Sequence, residues 1–130
     1  MSLAVAVEFE DHVVMLTGAD AVTLEDVLEA RRHLMDDLVL GPGYVTLVDM
    51  REASLGTLGP SEIEYLAATR HLLPYVTVGS KMAVVVSSAD AFGVARMYEL
   101  SRPTAPEVVR VFYDYDEARR WLETRPWPGH

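Results

Sequence analysis

Two hydrophobic periods alternate along the chain and predict different elements. Ala4–Phe9 (AVAVEF) and His12–Thr17 (HVVMLT) are β-prone runs separated by Glu10-Asp11, the pattern of a tight hairpin. The TGADA that follows reads as a break of polar and small residues. Over Thr23–Leu38 the period changes. Leu24, Val27, Leu28, Leu34, Met35 and Leu38 fall on one face at 3.6 spacing, which predicts a helix. Thr23 stands where a hydroxyl caps the first turn, and Glu25 and Asp26 sit at the positive end of the helix dipole. GPG at Gly41–Gly43 stops the helix.

Tyr44–Met50 (YVTLVDM) is apolar on both faces apart from Thr46 and the terminal Asp49, which predicts a central parallel strand covered on both sides. A loop dotted with hydroxyls and glycines leads to a second helix over Ser61–Leu73. Ser61 and Glu64 have the S-x-x-E spacing of a capping box, and Ile63, Leu66, Ala67 and Arg70 share a face. Met82–Val86 predicts a second strand buried on both faces. Ser87, Ser88 and Asp90 then lead into a helix over Ala89–Leu100. Its apolar residues wrap most of the way round, so it must be deeply buried or covered by a partner. Gly93 within it permits either a close approach by a neighbouring helix or the sheet, or motion. Val108–Tyr113 alternates, as an edge strand does. Asp114 opens a last helix with Ala118, Trp121 and Leu122 facing inward, and residues 125–130 form a frayed tail.

The predicted order is β-β-α-β-α-β-α-β-α, an α/β fold in one domain spanning residues 1–130. Strand–helix alternation implies right-handed crossovers and a mostly parallel sheet, with the opening hairpin adding an antiparallel strand.

Charge narrows the partners. Residues 1–65 carry 13 acids and 3 bases, and residues 66–130 carry 7 acids and 8 bases. Such an acidic chain is poorly matched to nucleic-acid phosphates or to an anionic membrane surface. Its acidity has a plainer role in solubility. No apolar run reaches the roughly 20 residues that span a bilayer. No basic segment followed by an apolar one marks a signal peptide, so a cytoplasmic location is expected. The absence of cysteine excludes disulfides, thiolate metal sites and cysteine nucleophiles. His12, His33, His71 and His130 have no metal-ligand spacing, and GTLGPS is too short for a P-loop and lacks its lysine. Neither a metal nor a cofactor is expected.

Three stretches carry a family resemblance: YVTLVDMREA, KMAVVVSSADAFGVARMYE and VRVFYDYDEARRWLE. With the element order, they make the chain resemble STAS domains, the fold of anti-sigma-factor antagonists, and the SpoIIAA-like branch in particular. The resemblance spans about Val5 to Glu123. It implies a bacterial, non-enzymatic module for regulation or protein interaction. In antagonist STAS domains a serine at a helix start, in a D-S-S-G setting, is phosphorylated by a partner kinase. The matching loop here is Arg51–Ser61, with hydroxyls at Ser54, Thr57 and Ser61 and no D-S-S-G. Ser61 is the first candidate phosphoacceptor and Thr57 the second. The SpoIIAA-like branch also brings in a carrier or ligand-binding role.

Two further sites follow from the residues themselves. Ligands of open α/β sheets sit beyond the carboxyl ends of the strands. There Asp49, Arg51 and Glu52 would meet Ser87, Ser88 and Asp90, as a partner or ligand loop or as a small hydrolase or isomerase using Asp49 with Ser87 or Ser88. The alternative is that these groups only cap and pair. Phe92, Met97 and Tyr98 would line a pocket for a small apolar ligand or lipid, or a homodimer face, or else pack in the core.

Overall fold

The computed structural model describes residues 2–37, 40–101 and 107–124. Among these, β1 (Leu3–Glu8) and β2 (Val13–Ala21) pair antiparallel, and β3 (Val45–Ser54), β4 (Lys81–Val85) and β5 (Val108–Phe112) extend the sheet in parallel. The strands lie across the sheet in their chain order. Helices α1 (Leu24–Met35), α2 (Pro60–Thr69) and α3 (Ala89–Leu100) occupy the crossovers, and α4 (Tyr115–Glu123) follows β5. Parallel crossovers have one hand. Three of them stepping in the same direction must therefore place α1, α2 and α3 on the same face. The other face is left to α4.

The period of two along β3 feeds both layers. Thr46, Val48 and Met50 point toward α1–α3, while Val45 and Leu47 point toward α4. One apolar cluster joins Leu16, Val48 and Val84 to Leu34, Leu66 and Ala95. The other joins Leu47, Ala83 and Val85 to Ala118 and Leu122. Lys81 is buried at the edge of this second layer. Its Nζ donates to the carbonyls of Trp121 (3.0 Å) and Thr124 (3.1 Å), so a cation closes the negative end of α4.

Several boundaries differ from the sequence reading. TGADA is not a break, because β2 runs through it to Ala21 after a bulge between Thr17 and Ala19. Nor does β3 end at Asp49. It continues to Ser54 and pairs Glu52, Ala53 and Ser54 with Ala19, Asp20 and Ala21. Neither extension carries an apolar signal, and each is held by the other's backbone.

The helix starts follow local chemistry. Thr23 caps α1, with its Oγ1 accepting from the Asp26 N–H (3.2 Å) and the Asp26 carboxylate accepting from the Thr23 N–H (2.9 Å). Ser88 and Asp114 cap α3 and α4 by accepting from the Ala91 and Glu117 N–H groups, at 3.1 Å each. Ser61 does not cap α2. Pro60 takes the first helical position, where its missing N–H costs nothing, which makes Gly59 the cap. Glu62, not Glu64, reaches back to accept from the Gly59 N–H at 2.9 Å. After Thr69 the chain tightens into a 3-10 turn, Arg70–Leu72. α1 ends at Met35, and Leu38 and the tail at 125–130 lie outside the described residues. β5 is a sheet edge, as its alternation predicts.

Two glycines differ in kind. A Cβ on Gly18 would run into the side chains of Met50, Ala53 and Val22. Gly93 is exposed with nothing near its Cβ position, so no close approach explains it. Gly18→Ala should therefore cost about 1–3 kcal/mol through overpacking, whereas Gly93→Ala should gain about 0.5–1 kcal/mol through helix propensity. Urea unfolding of the two variants checks the opposite signs.

Candidate functional site

The carboxyl edge of the sheet brings Asp49, Arg51 and Ser87 together, but their polar groups are committed to one another. Asp49 and Arg51 are two apart on β3 and so project to the same face. Arg51 Nε donates to Asp49 Oδ1 (2.9 Å) and its Nη2 donates to Oδ2 (2.8 Å). The guanidinium also lies 4.5 Å from the ring centroid of Tyr115 on α4. The Arg51 hydrogen bond, helped by its charge, holds the Asp49 carboxyl below its ordinary range despite partial burial. A carboxylate held low is a poor general base. Ser87 Oγ donates to the Arg51 carbonyl (2.7 Å), and Ser88 is the α3 cap. Glu52 and Asp90 are exposed. Among the described residues no group of three His, Asp or Glu is placed to hold a metal.

The candidate phosphoacceptors lie on the connection between β3 and α2. Thr57 Oγ1 donates to the Val22 carbonyl (2.9 Å), which ties this connection to the end of β2. Ser61 is exposed at the second position of α2.

A third place is an apolar cavity of about 100 Å³ between the sheet and helices α1, α2 and α3. Leu16, Val48 and Val84 line it from the sheet, and Leu34, Leu66 and Ala95 line it from the three helices. Tyr98 also lines it. Phe92 and Met97 do not; they pack against the core, and Phe92 stacks on Tyr113 with centroids 5.1 Å apart. Two cations reach the lining. Arg31 on α1 donates to the Leu66 carbonyl and to Thr69 Oγ1, both at 2.8 Å, and so ties α1 to the last turn of α2. Arg70 is fully buried, with Nε and Nη2 donating to the two oxygens of Glu107 at 2.9 and 3.0 Å. Its Nη2 also donates to Thr46 Oγ1 at 2.7 Å, and its Nη1 to the Tyr75 hydroxyl at 3.3 Å. Burial works against the Arg70 cation, but the Glu107 charge and hydrogen bond, together with the neighbouring Tyr75 and Tyr98, more than offset it and raise its pKa well above the ordinary value.

Arg70, Glu107, Thr46 and Arg31 were not among the site residues read from sequence. Arg70 did give a signal, as a cation on the apolar face of its helix. Its partner lies 37 residues away and gave none.

No protein-family model and no curated protein matches the chain. Among solved structures it is similar to an uncharacterised protein of the DUF3478 family with a SpoIIAA-like fold, from Shewanella loihica PV-4. That match has a TM-score of 0.57 at 18% identity and covers 92% of this chain and 91% of the other. The fold is thus SpoIIAA-like: a five-stranded, mostly parallel sheet with four helices.

The two arginine–carboxylate pairs should behave differently. Arg70→Met leaves Glu107 buried without its cation and should cost about 3–5 kcal/mol. Arg51→Met acts at an exposed pair and should cost about 0.2–1 kcal/mol. Because Asp49 is held low by Arg51, the smaller penalty is complete above the ordinary aspartate range. It disappears as pH falls through the lowered Asp49 value. Chemical denaturation of both variants from pH 7 down to pH 3 reads all three outcomes.

Proposed function

We propose that this SpoIIAA-like module binds one small apolar molecule in the cavity beneath α1, α2 and α3, and acts as a non-enzymatic carrier or ligand-responsive interaction module. The observation that carries this reading is the cavity itself. Protein interiors pack to crystal-like density, so apolar space of this size between three helices and a sheet is unusual. An apolar cavity of about 150 Å³ stays dry and takes up benzene. The volume here, about 100 Å³, suits a single ring or a short branched chain rather than a long acyl chain. Catalysis is disfavoured by the strand-edge chemistry, where Asp49, Ser87 and Ser88 are each spent on a structural hydrogen bond.

A regulatory output fits the same geometry. The connection between β3 and α2 turns Leu55 and Leu58 into the cavity lining and leaves Thr57 and Ser61 exposed. A partner protein reading its outer face would meet the Ser61 hydroxyl, and phosphate on Ser61 would lie at the positive end of α2. Ser61 found unmodified in native extract, with Ser61→Ala unchanged in partner pull-down, removes that output and leaves the cavity reading standing.

Titrating the protein with benzene should shift amide resonances of α1, α2, α3 and the cavity-facing strand positions, and spare α4. Ala95→Leu should abolish the shifts while preserving the fold. Native mass spectrometry of protein from its own host should show a bound small molecule that Ala95→Leu lacks. Unchanged spectra with benzene, together with ligand-free native protein, would sink the proposal.

A further inference from the structure

The hydrogen-bonding capacity of Arg70 exceeds what its neighbours use. A guanidinium has five N–H groups. One is on Nε and goes to Glu107. Two are on Nη2 and go to Glu107 and Thr46. Of the two on Nη1, one goes to the Tyr75 hydroxyl, and the other meets no acceptor among the described residues. Arg70 is 1% exposed and lines the cavity. A buried donor on a charged group is costly to leave unmade.

We propose that the cavity selects a neutral, mostly apolar molecule carrying one hydrogen-bond acceptor, such as a ketone, ester, amide or alcohol oxygen, which Arg70 Nη1 holds. This rests on reading the cavity as a ligand site and adds the ligand's class. Neutrality follows from the charge balance. Glu107 already neutralises Arg70 through two short hydrogen bonds, so a ligand carboxylate would be a second buried anion beside it. Arg31 does not redress this balance, because it is directed to the Leu66 carbonyl and Thr69 at the end of α2.

The test compares three probes of one size on the intact chain: ethylbenzene, acetophenone and benzoate, by calorimetry and amide NMR. Acetophenone should bind about tenfold more tightly than ethylbenzene, the equivalent of about 1.4 kcal/mol, and also more tightly than benzoate. In the double variant Arg70→Met, Glu107→Leu, which replaces the buried pair with apolar groups, the tenfold preference should fall to about unity. Should that variant fail to fold, the Arg70 Nε–H resonance of the unmodified protein decides. A shift with acetophenone and none with ethylbenzene supports the proposal, and no shift with acetophenone overturns it. Equal binding of acetophenone and ethylbenzene, as expected if a resident water already serves Nη1, overturns this inference and leaves the carrier reading intact. Benzoate binding most tightly would assign recognition to Arg31 and also overturn it. Binding of none of the three removes both readings.

Discussion

The fixed hand of the parallel crossover shapes everything else in this fold. Because the strands lie in chain order, each crossover steps the same way across the sheet, and α1, α2 and α3 are forced onto one face. α4 covers the opposite face with a small, closed cluster of its own. The crowded face has the harder packing problem. Three helices must cover a twisted sheet, and at Ala30 and Ala95 they present short side chains where longer ones would fill the gap. The cavity is the space left by that arrangement. The same strand order bears on the shape of the strand carboxyl edge. The crevice of an open α/β sheet forms where strand order reverses, and here it never reverses.

The buried Arg70–Glu107 pair gives this layer its register. Desolvating two charges costs several kcal/mol each, and the pair returns that only through good geometry. Here both carboxylate oxygens are used, and Thr46 and Tyr75 take further guanidinium donors. The contacts join β3, the turn after α2 and the segment just before β5. A slip of α2 by one turn would strand a buried charge, whereas a slip of an all-apolar face would only repack it. The pair is therefore better understood as fixing where α2 ends than as a net source of stability.

Most local signals in the sequence were legible. α3 runs over the residues its pattern predicts, Thr23, Ser88 and Asp114 cap as their hydroxyl or carboxylate suggests, and the alternation of Val108–Tyr113 marks an edge strand. One group of failures has nonlocal causes. The polar ends of β2 and β3 are strand because each supplies the other's hydrogen bonds, which no window of either segment reveals. Ser61 looked like a cap because S-x-x-E is a local rule. It lost to another local rule, the preference of proline for the first helical position. The cavity is less legible still. Val27, Leu34 and Leu66 each read as the apolar face of a helix, and only helix spacing leaves a gap among them.

The connection between β3 and α2 is where the two functional ideas meet. Leu55 and Leu58 are buried in the cavity lining, Thr57 ties the connection to β2, and Ser61 stands exposed beyond it. Position had suggested a surface switch and local chemistry a helix cap; the structure gives the connection a third role as a wall. A molecule in the cavity can reshape this wall only through a difference in its affinity for the two shapes. On the proposed carrier reading, Leu55 and Leu58 would supply such a difference, because their packing would depend on whether the space beside them is filled. A chemical group on Ser61 would act on the same segment from outside. Ligand and surface signal would then be coupled through one short stretch of chain, with no need for a long pathway across the sheet.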